Sequence, residues 1–243
     1  MLIYDMTIMD IKNFKSSANS KLAIIPVGSL EQHGCHLPIS TDSIIAERIA
    51  REISLQFPSI VLPVIPYGVS FEHLPLLNIS INSHTLSTLL TSISVSLIDN
   101  GFENIIIING HHGNVGVLQY LSQNVREMTS KKNFILAINY WHFLNIPFDH
   151  AGHVETSLML AICPDLVKME LAEKERNTKL LSDKAKAIFL TGAASIPKIT
   201  TNGVMGDPSG ANKLDGRVML SNAITEITRA VNELKEFQDI SGN

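Results

Sequence analysis

This chain of 243 residues has few cysteines and little net charge of either sign. Its two cysteines, Cys35 and Cys163, cannot form the disulfide framework of a small secreted domain, so we expect a cytoplasmic location. The formal net charge is only −4. That value indicates no basic surface for nucleic acid or anionic lipid, so neither is an expected partner.

Long apolar runs are also missing. No stretch reaches the roughly 18 apolar residues that would span a bilayer, and residues 1–15 lack the basic and apolar regions of a signal peptide. The sequence has no internal repeat and no linker rich in Pro, Gly and Ser. We therefore expect one domain over residues 1–243 and no membrane partner.

Short β-branched apolar runs alternate with amphipathic stretches along the chain. Uniformly apolar runs are typical of strands buried on both faces of a parallel sheet, and their alternation with helices indicates βαβ units. The sequence therefore predicts an α/β fold, a three-layer α/β/α sandwich with a mostly parallel central sheet. The predicted strands are residues 21–27, 60–65, 104–108 and 134–139. The predicted helices are residues 44–55, 86–98, 115–128, 156–162, 171–190 and 222–237.

Two of these helices carry boundary signals. Thr41 or Asp42 is placed to cap the helix at residues 44–55. Asn100 and Gly101 are placed to end the helix at residues 86–98.

Acidic and histidine side chains are concentrated in three loops, at residues 28–42, 109–114 and 149–157. Six of the nine histidines lie in these loops. The first two loops follow predicted strands, and ligands of parallel α/β sheets bind at the carboxyl ends of the strands. We therefore expect the three loops to meet around one site.

The residue types in these loops suit a metal ion. Glu31 and His33 are one residue apart, so they point to the same side of an extended segment, and Asp42 at a helix start can reach the same point. A mixed Asp, Glu and His set without cysteine suits Zn²⁺, Mn²⁺ or Fe²⁺. Any single pair of this kind is more often a solvated turn, but three clusters together favour a metal site.

The same segments resemble the signatures of the creatininase family, which comprises creatinine amidohydrolase and its relatives. The resemblance covers most of the chain, and its four pieces stand in the family's order. They are PVGSLEQHGCHLPISTD at residues 26–42, NGHHGN at 109–114, HAGHVETSLML at 150–160 and GVMGDPSGANKLDG at 203–216.

The resemblance implies a dinuclear centre that holds two divalent ions, Zn, Mn or Fe. The implied ligands are Glu31 and His111 for one ion, His33 for the other, and Asp42 as the bridge between them. Creatininase supplies a further glutamate at the position of Gly113 in this chain. Relatives with a glycine-rich second motif suggest Glu155 as the remaining ligand instead.

The resemblance also implies roles beyond the ligands. His150 is the expected general acid and base, with Asp149, which replaces a family glutamate, as its helper. His36 is expected outside the ligand set, as a support or a substrate contact.

Three further side chains are predicted substrate contacts, each with a second interpretation. Trp141 lines a substrate pocket or packs half-buried, and His112 contacts substrate or is solvated. His73 and its neighbour Glu72 belong to a segment that resembles a family loop at the pocket mouth, with a substrate or a subunit-contact role.

The function that this resemblance implies is metal-dependent hydrolysis of a non-peptide C–N bond in a small cyclic amide or formamide. Gly113 and the single tryptophan argue against creatinine itself, because creatininase closes its pocket with two tryptophans. The alternatives are a formylamino-pyrimidine nucleotide deformylase of archaeal riboflavin and deazaflavin synthesis, a peptide-trimming maturase, and a non-catalytic binding protein. The resemblance further implies a homo-oligomer, namely a hexamer.

Overall fold

The central element of the fold is a four-stranded parallel sheet. The structure is a computed structural model that describes residues 1–17, 21–129, 134–147, 149–174, 195–198 and 200–241. Its strands are β1 (Leu22–Val27), β2 (Ser59–Val61), β3 (Asn104–Asn109) and β4 (Phe134–Asn139), in the order β2-β1-β3-β4. All neighbouring strands are parallel, which confirms the predicted sheet.

Helices cover both faces of this sheet, so the predicted sandwich is confirmed. They are α1 (Ile8–Ser17), α2 (Thr41–Gln56), α3 (Ser83–Asp99), α4 (Val115–Leu118), α5 (Leu121–Met128), α6 (His153–Ile162) and α7 (Lys213–Ser241). Alternate residues of each strand face opposite sides. Leu22 and Ile24 pack with α2, α6 and α7, whereas Ala23 and Ile25 pack with α1, α3, α4 and α5. Both sides of the strand are therefore buried, which explains its uniformly apolar sequence.

Several predicted boundaries were wrong. The second strand ends at Val61 and not at Ile65, since Pro63 has no N–H to donate and pairing resumes only as a bridge between Ile65 and Val27. The predicted helix at residues 115–128 is divided into α4 and α5 at Gln119 and Tyr120.

The capping predictions had mixed outcomes. Ser40 is the residue before α2, so Thr41 and Asp42 lie inside the first turn and neither caps the helix. Asn100 follows α3 and Gly101 has φ +83°, as predicted for a helix end. Of the helix predicted at residues 171–190, residues 172–174 are not helical, and residues 175–190 lie outside the described residues. No helix in the described ranges is long and apolar enough to cross a membrane.

The packing of α6 on α7 depends on Gly216. A Cβ atom at this position would overlap with the backbone carbonyl of Ser157 on α6. The two helices therefore approach more closely than any other side chain permits. This contact fixes α6, which carries the third of the three polar loops at its start.

We expect Gly216→Ala to destabilise the fold by about 1–3 kcal/mol, because the added methyl group separates the two helices. Gly116→Ala on α4 is the matched control, since a Cβ there meets nothing within 4 Å. Because alanine favours helix more than glycine does, the control is expected to gain up to about 1 kcal/mol. Urea unfolding midpoints measure both effects, and equal midpoints for the two variants would contradict this account of the packing.

Candidate metal centre

The three polar loops meet at one end of the sheet, as the sequence predicts. The first loop follows β1, the second follows β3, and the third leads into α6 at His153. Most of the acidic and histidine side chains that they carry are buried there, whereas His112, Asp149 and His153 are partly exposed. This end of the sheet is formed by the carboxyl ends of the strands, where ligands of such folds bind.

Glu31 is placed by a short backbone pairing. The segment around it pairs with residues 77–79, since Gln32 N–H donates to the Leu77 carbonyl at 2.8 Å and Ile79 N–H donates to the Leu30 carbonyl at 2.8 Å. Glu31 and Asn78 form the bridge of this pairing. The Glu31 side chain is only 1% exposed as a result.

Asp42 is brought close to His111 by a glycine. Asp42 lies in the first turn of α2, and a Cβ at Gly110 would overlap with its backbone carbonyl. The end of β3 therefore comes directly against the start of α2. The two oxygens of Asp42 then face different rings: Oδ2 lies 3.0 Å from His111 Nδ1, and Oδ1 lies 3.1 Å from His33 Nε2.

Two groups of ligand atoms share Asp42. One group is Glu31, Asp42 and His111, and the other is His33, Asp42 and Glu155. A third candidate group, without Asp42, joins Glu31 and His33 with His150. Within each group, one ligand atom per residue lies within 4.8 Å of the others. The structure thus brings together all five side chains that the sequence predicts as ligands, in the division that the resemblance implies.

Backbone carbonyls orient both histidines that are predicted as ligands. His33 donates from Nδ1 to the Glu31 carbonyl at 3.1 Å, and His111 donates from Nε2 to the Val69 carbonyl at 2.8 Å. The remaining nitrogen of each ring is then aimed at carboxylate oxygens. Outer hydrogen bonds of this kind are how proteins fix the orientation of metal-binding histidines.

Electrostatics at these rings favour a cation. Burial opposes protonation of His33 and His111. The carboxylates of Asp42 and Glu155 outweigh burial at His33, and the carboxylate of Glu31 does so at His111. The pKa of each ring therefore lies well above its ordinary value. Burial likewise raises the pKa of Glu31, but the neighbouring His111 and His73 outweigh it and hold that pKa well below its ordinary range.

The predicted acid and base, His150, lies against this cluster. Its ring is 4.5 Å from that of His33 and 4.9 Å from that of His73, measured between centroids. Burial and the nearby His33 and His73 lower the pKa of His150 well below its ordinary value, so the ring is neutral at pH 7.

Asp149 contacts the start of α6. Its carboxylate accepts from the backbone N–H groups of His153 at 2.7 Å and Val154 at 3.2 Å. Burial and the charge of Glu155 raise the pKa of Asp149 to about 7. These contacts give Asp149 a structural role beside the predicted helper role, which stays a prediction.

The predicted substrate contacts lie in different surroundings. His36 is buried against α6, with its Nε2 2.9 Å from Oγ1 of Thr156 in that helix. Trp141 is 8% exposed and packs edge-on against Tyr140, with the His112 ring 5.9 Å away. The packing interpretation of Trp141 is therefore the closer description of its contacts.

His73 is an interior residue of the cluster. It is 1% exposed, and its Nε2 lies 2.9 Å from Glu31 Oε1, so it does not stand at the mouth of a pocket. Sequence reasoning placed it at the mouth because the pairing of residues 77–79 with the Glu31 segment could not be foreseen.

One residue at the site was missed from the sequence, and a second lies in a segment that the resemblance had indicated. Gln32 contacts both His73 and His150. Glu72 has Oε1 3.5 Å from His111 Nε2, and a Cβ at Gly113 would lie 2.7 Å from the same oxygen. The position of Gln32 between Glu31 and His33 was an available signal for the first. Glu72 was indicated with His73 by the resemblance of their segment to a family loop.

Comparison with known proteins agrees with this geometry. The creatininase family, described as creatinine amidohydrolase, matches residues 4–231. The chain is 30% identical over 227 residues to the mycofactocin precursor peptide peptidase of Mycobacterium tuberculosis, covering 88% of this chain and 86% of that protein. It is 26% identical over 180 residues to the creatinine amidohydrolase of Pseudomonas putida, covering 63% and 69% of the two chains.

Comparison with solved structures agrees on the fold. A solved creatininase structure with Mn has a TM-score of 0.80 at 22% identity, covering 96% of this chain and 97% of that one. The class that fold and site define is a hydrolase of α/β architecture with candidate metal-binding residues at the carboxyl end of its sheet. The chain belongs to the creatininase family, which confirms the resemblance drawn from its motifs.

We expect wild-type protein equilibrated with zinc to retain two ions per chain. Glu155→Gln should retain one ion, because Glu155 belongs to only one of the two groups that contain Asp42. Asp42→Asn should retain none, because Asp42 is the residue that these two groups share. The exposed Asp99 offers a matched control, and Asp99→Asn should retain two ions. Elemental analysis after gel filtration measures the ratio. An Asp42→Asn protein that keeps two ions would rule out the shared carboxylate.

Bound metal should also stabilise the fold, since the ligands come from distant parts of the chain. At a free zinc concentration 100 times the dissociation constant, we expect a gain of about 2.7 kcal/mol per site. Thermal unfolding with zinc and after chelation measures this gain. A wild-type midpoint that does not respond to zinc would contradict a centre built from these loops.

Proposed function

We propose that this protein is a dinuclear metal-dependent hydrolase that cleaves an amide C–N bond. The observation that carries the proposal is the position of the Asp42 carboxylate, whose two oxygens face His33 on one side and His111 on the other. A carboxylate in this position can bridge two cations and offset their mutual repulsion.

The residues present fit such a pair of ions. Glu31 Oε2 and Asp42 Oδ2 are buried and have no hydrogen-bond partner among the described residues. Both oxygens lie beside the same ring nitrogen, His111 Nδ1, at 3.2 and 3.0 Å. A buried carboxylate oxygen without a partner is costly, and a cation between these atoms would remove the cost.

Glu31, His111 and Asp42 would hold one ion, and His33, Glu155 and Asp42 the other. Their oxygen and imidazole donors suit Zn, Mn or Fe. When bound, such a pair lowers the pKa of a water molecule and polarises the scissile carbonyl.

The protein's own contribution to proton transfer is His150. Because this ring is neutral, one of its nitrogens can take a proton from the attacking water. The lowered pKa of His150 then favours release of that proton to the leaving nitrogen. We propose that Asp149 assists by holding the loop that carries His150, since its carboxylate is bound to the start of α6.

Two substrate classes fit an amide hydrolase of this family. The first is a small cyclic amide or formamide, as the motifs imply. The second is a peptide, which is favoured by the similarity to the mycofactocin precursor peptide peptidase over 88% of this chain. Exposed apolar side chains at Phe71, Leu74 and Leu77, on either side of the buried His73, offer a surface for such a substrate. The nucleotide deformylase and the non-catalytic binding protein stay as alternatives for the same experiment.

Assembly and location stay predictions. We propose a homo-oligomer, a hexamer by family resemblance, and a cytoplasmic location. Sedimentation of a plain monomer would contradict the first.

The proposed activity should depend on metal and on Asp42. We expect chelation to abolish hydrolysis and added Zn or Mn to restore it. Asp42→Asn should lose more than the roughly 100-fold that loss of an outer partner costs a metal site. The assay offers creatinine, formamides and short peptides, and it follows released amine and formate.

Asp99→Asn serves again as the control and should retain full activity. A chelated enzyme that remains fully active would refute the proposal. Failure of the metal-loaded protein to hydrolyse any of the offered amides would favour the non-catalytic alternative.

A further inference from the structure

The side chain of Gln32 contacts two histidines of the site at once. Its Nε2 lies 2.9 Å from His73 Nδ1, 3.2 Å from His150 Nε2 and 3.1 Å from the Gly203 carbonyl. Neither the sequence motifs nor the ligand groups give Gln32 a role.

Two backbone groups fix which end of the Gln32 amide faces the histidines. Gly34 N–H donates to Gln32 Oε1 at 3.0 Å, and the Gly203 carbonyl can only accept. If the amide were reversed, its NH₂ group would face the Gly34 N–H and its oxygen would face the Gly203 carbonyl. Neither pair can form a hydrogen bond. The NH₂ end therefore faces the rings.

An amide NH₂ group donates and cannot accept, so a ring nitrogen that it contacts must carry no hydrogen. For His73 this leaves the proton on Nε2, which lies 2.9 Å from Glu31 Oε1 and donates to it. Glu31 is thereby held through Oε1, and its Oε2 is left to face the metal site. Gln32 thus acts on a proposed metal ligand through His73.

The same rule applies to His150. Its Nε2 must be bare where it faces Gln32, so its proton is on Nδ1, which is 4.0 Å from Glu155 Oε2. Because the amide has two hydrogens for three acceptors, one acceptor is incompletely bonded. The contact to His150 is the longest of the three, so its Nε2 accepts the weakest of these hydrogen bonds.

We propose that Gln32 is a positioning residue that selects the tautomers of His73 and His150, with the proton on Nε2 of the first and on Nδ1 of the second. The consequence for Glu31 follows from this geometry alone. The consequence for His150 as an acid and base rests on the proposed function.

Nitrogen NMR of the zinc-loaded protein labelled with ¹⁵N-histidine tests the proposal directly, because bare and protonated ring nitrogens differ widely in shift. We expect wild-type His73 to show a bare Nδ1 and wild-type His150 a bare Nε2, with signals assigned from His73→Gln and His150→Gln. In Gln32→Glu, which accepts where the amide donates, both nitrogens should shift toward the protonated position. In Gln32→Met, which cannot donate, each ring should lose its single tautomer. Gln119→Glu makes the same chemical change at an exposed position and should leave both spectra unchanged.

The opposite tautomer in wild-type His73 or His150 would overturn the proposal, and so would histidine signals that stay unchanged in both Gln32 variants. If a Gln32 variant does not fold, the wild-type spectrum still decides, because it must show both bare nitrogens. Predicted tautomers in a protein without hydrolytic activity would count against the proposed function and leave this inference standing.

Discussion

The carboxylate of Asp42 lies between two histidine rings, buried with Glu31 and Glu155 in the same interior. Three acidic side chains this close repel one another unless positive charge is placed among them. Histidines supply part of that charge, and the bare oxygens of Glu31 and Asp42 indicate where cations would supply the rest. The convergence of the three loops is therefore stable only if positive charge compensates these carboxylates, and this requirement is the physical basis of the proposed metal pair.

The sheet provides the frame for this convergence. Parallel strands bring the loops after β1 and β3 to the same edge, and the close approach at Gly110 sets the start of α2 against them. The third loop leads directly into α6, and the position of α6 depends on its packing against α7. Residues far apart in sequence thus meet because each follows an element with a fixed place in the sandwich.

Much of this arrangement could be predicted from the sequence, for identifiable physical reasons. Runs such as residues 104–108 are apolar because both faces of the strand are buried, so they could be predicted as strands from the sequence. The proposed ligands stand in motifs with fixed local spacing, so Glu31 and His111 could be proposed from those motifs alone. Helix boundaries were less predictable, since the break at Gln119 and Tyr120 carries no glycine or proline signal.

The residues that support the site were harder to predict, because their roles come from long-range contacts. His73 reaches Glu31 only after residues 77–79 pair with the Glu31 segment, and Gln32 acquires its role from that same pairing. The central claim, a carboxylate shared by two cations, is tested most directly by anomalous diffraction at the zinc edge. The account predicts two peaks about 3.5–4 Å apart, each about 2.0–2.2 Å from a different oxygen of Asp42. A single peak, or two peaks that do not contact Asp42, would contradict it.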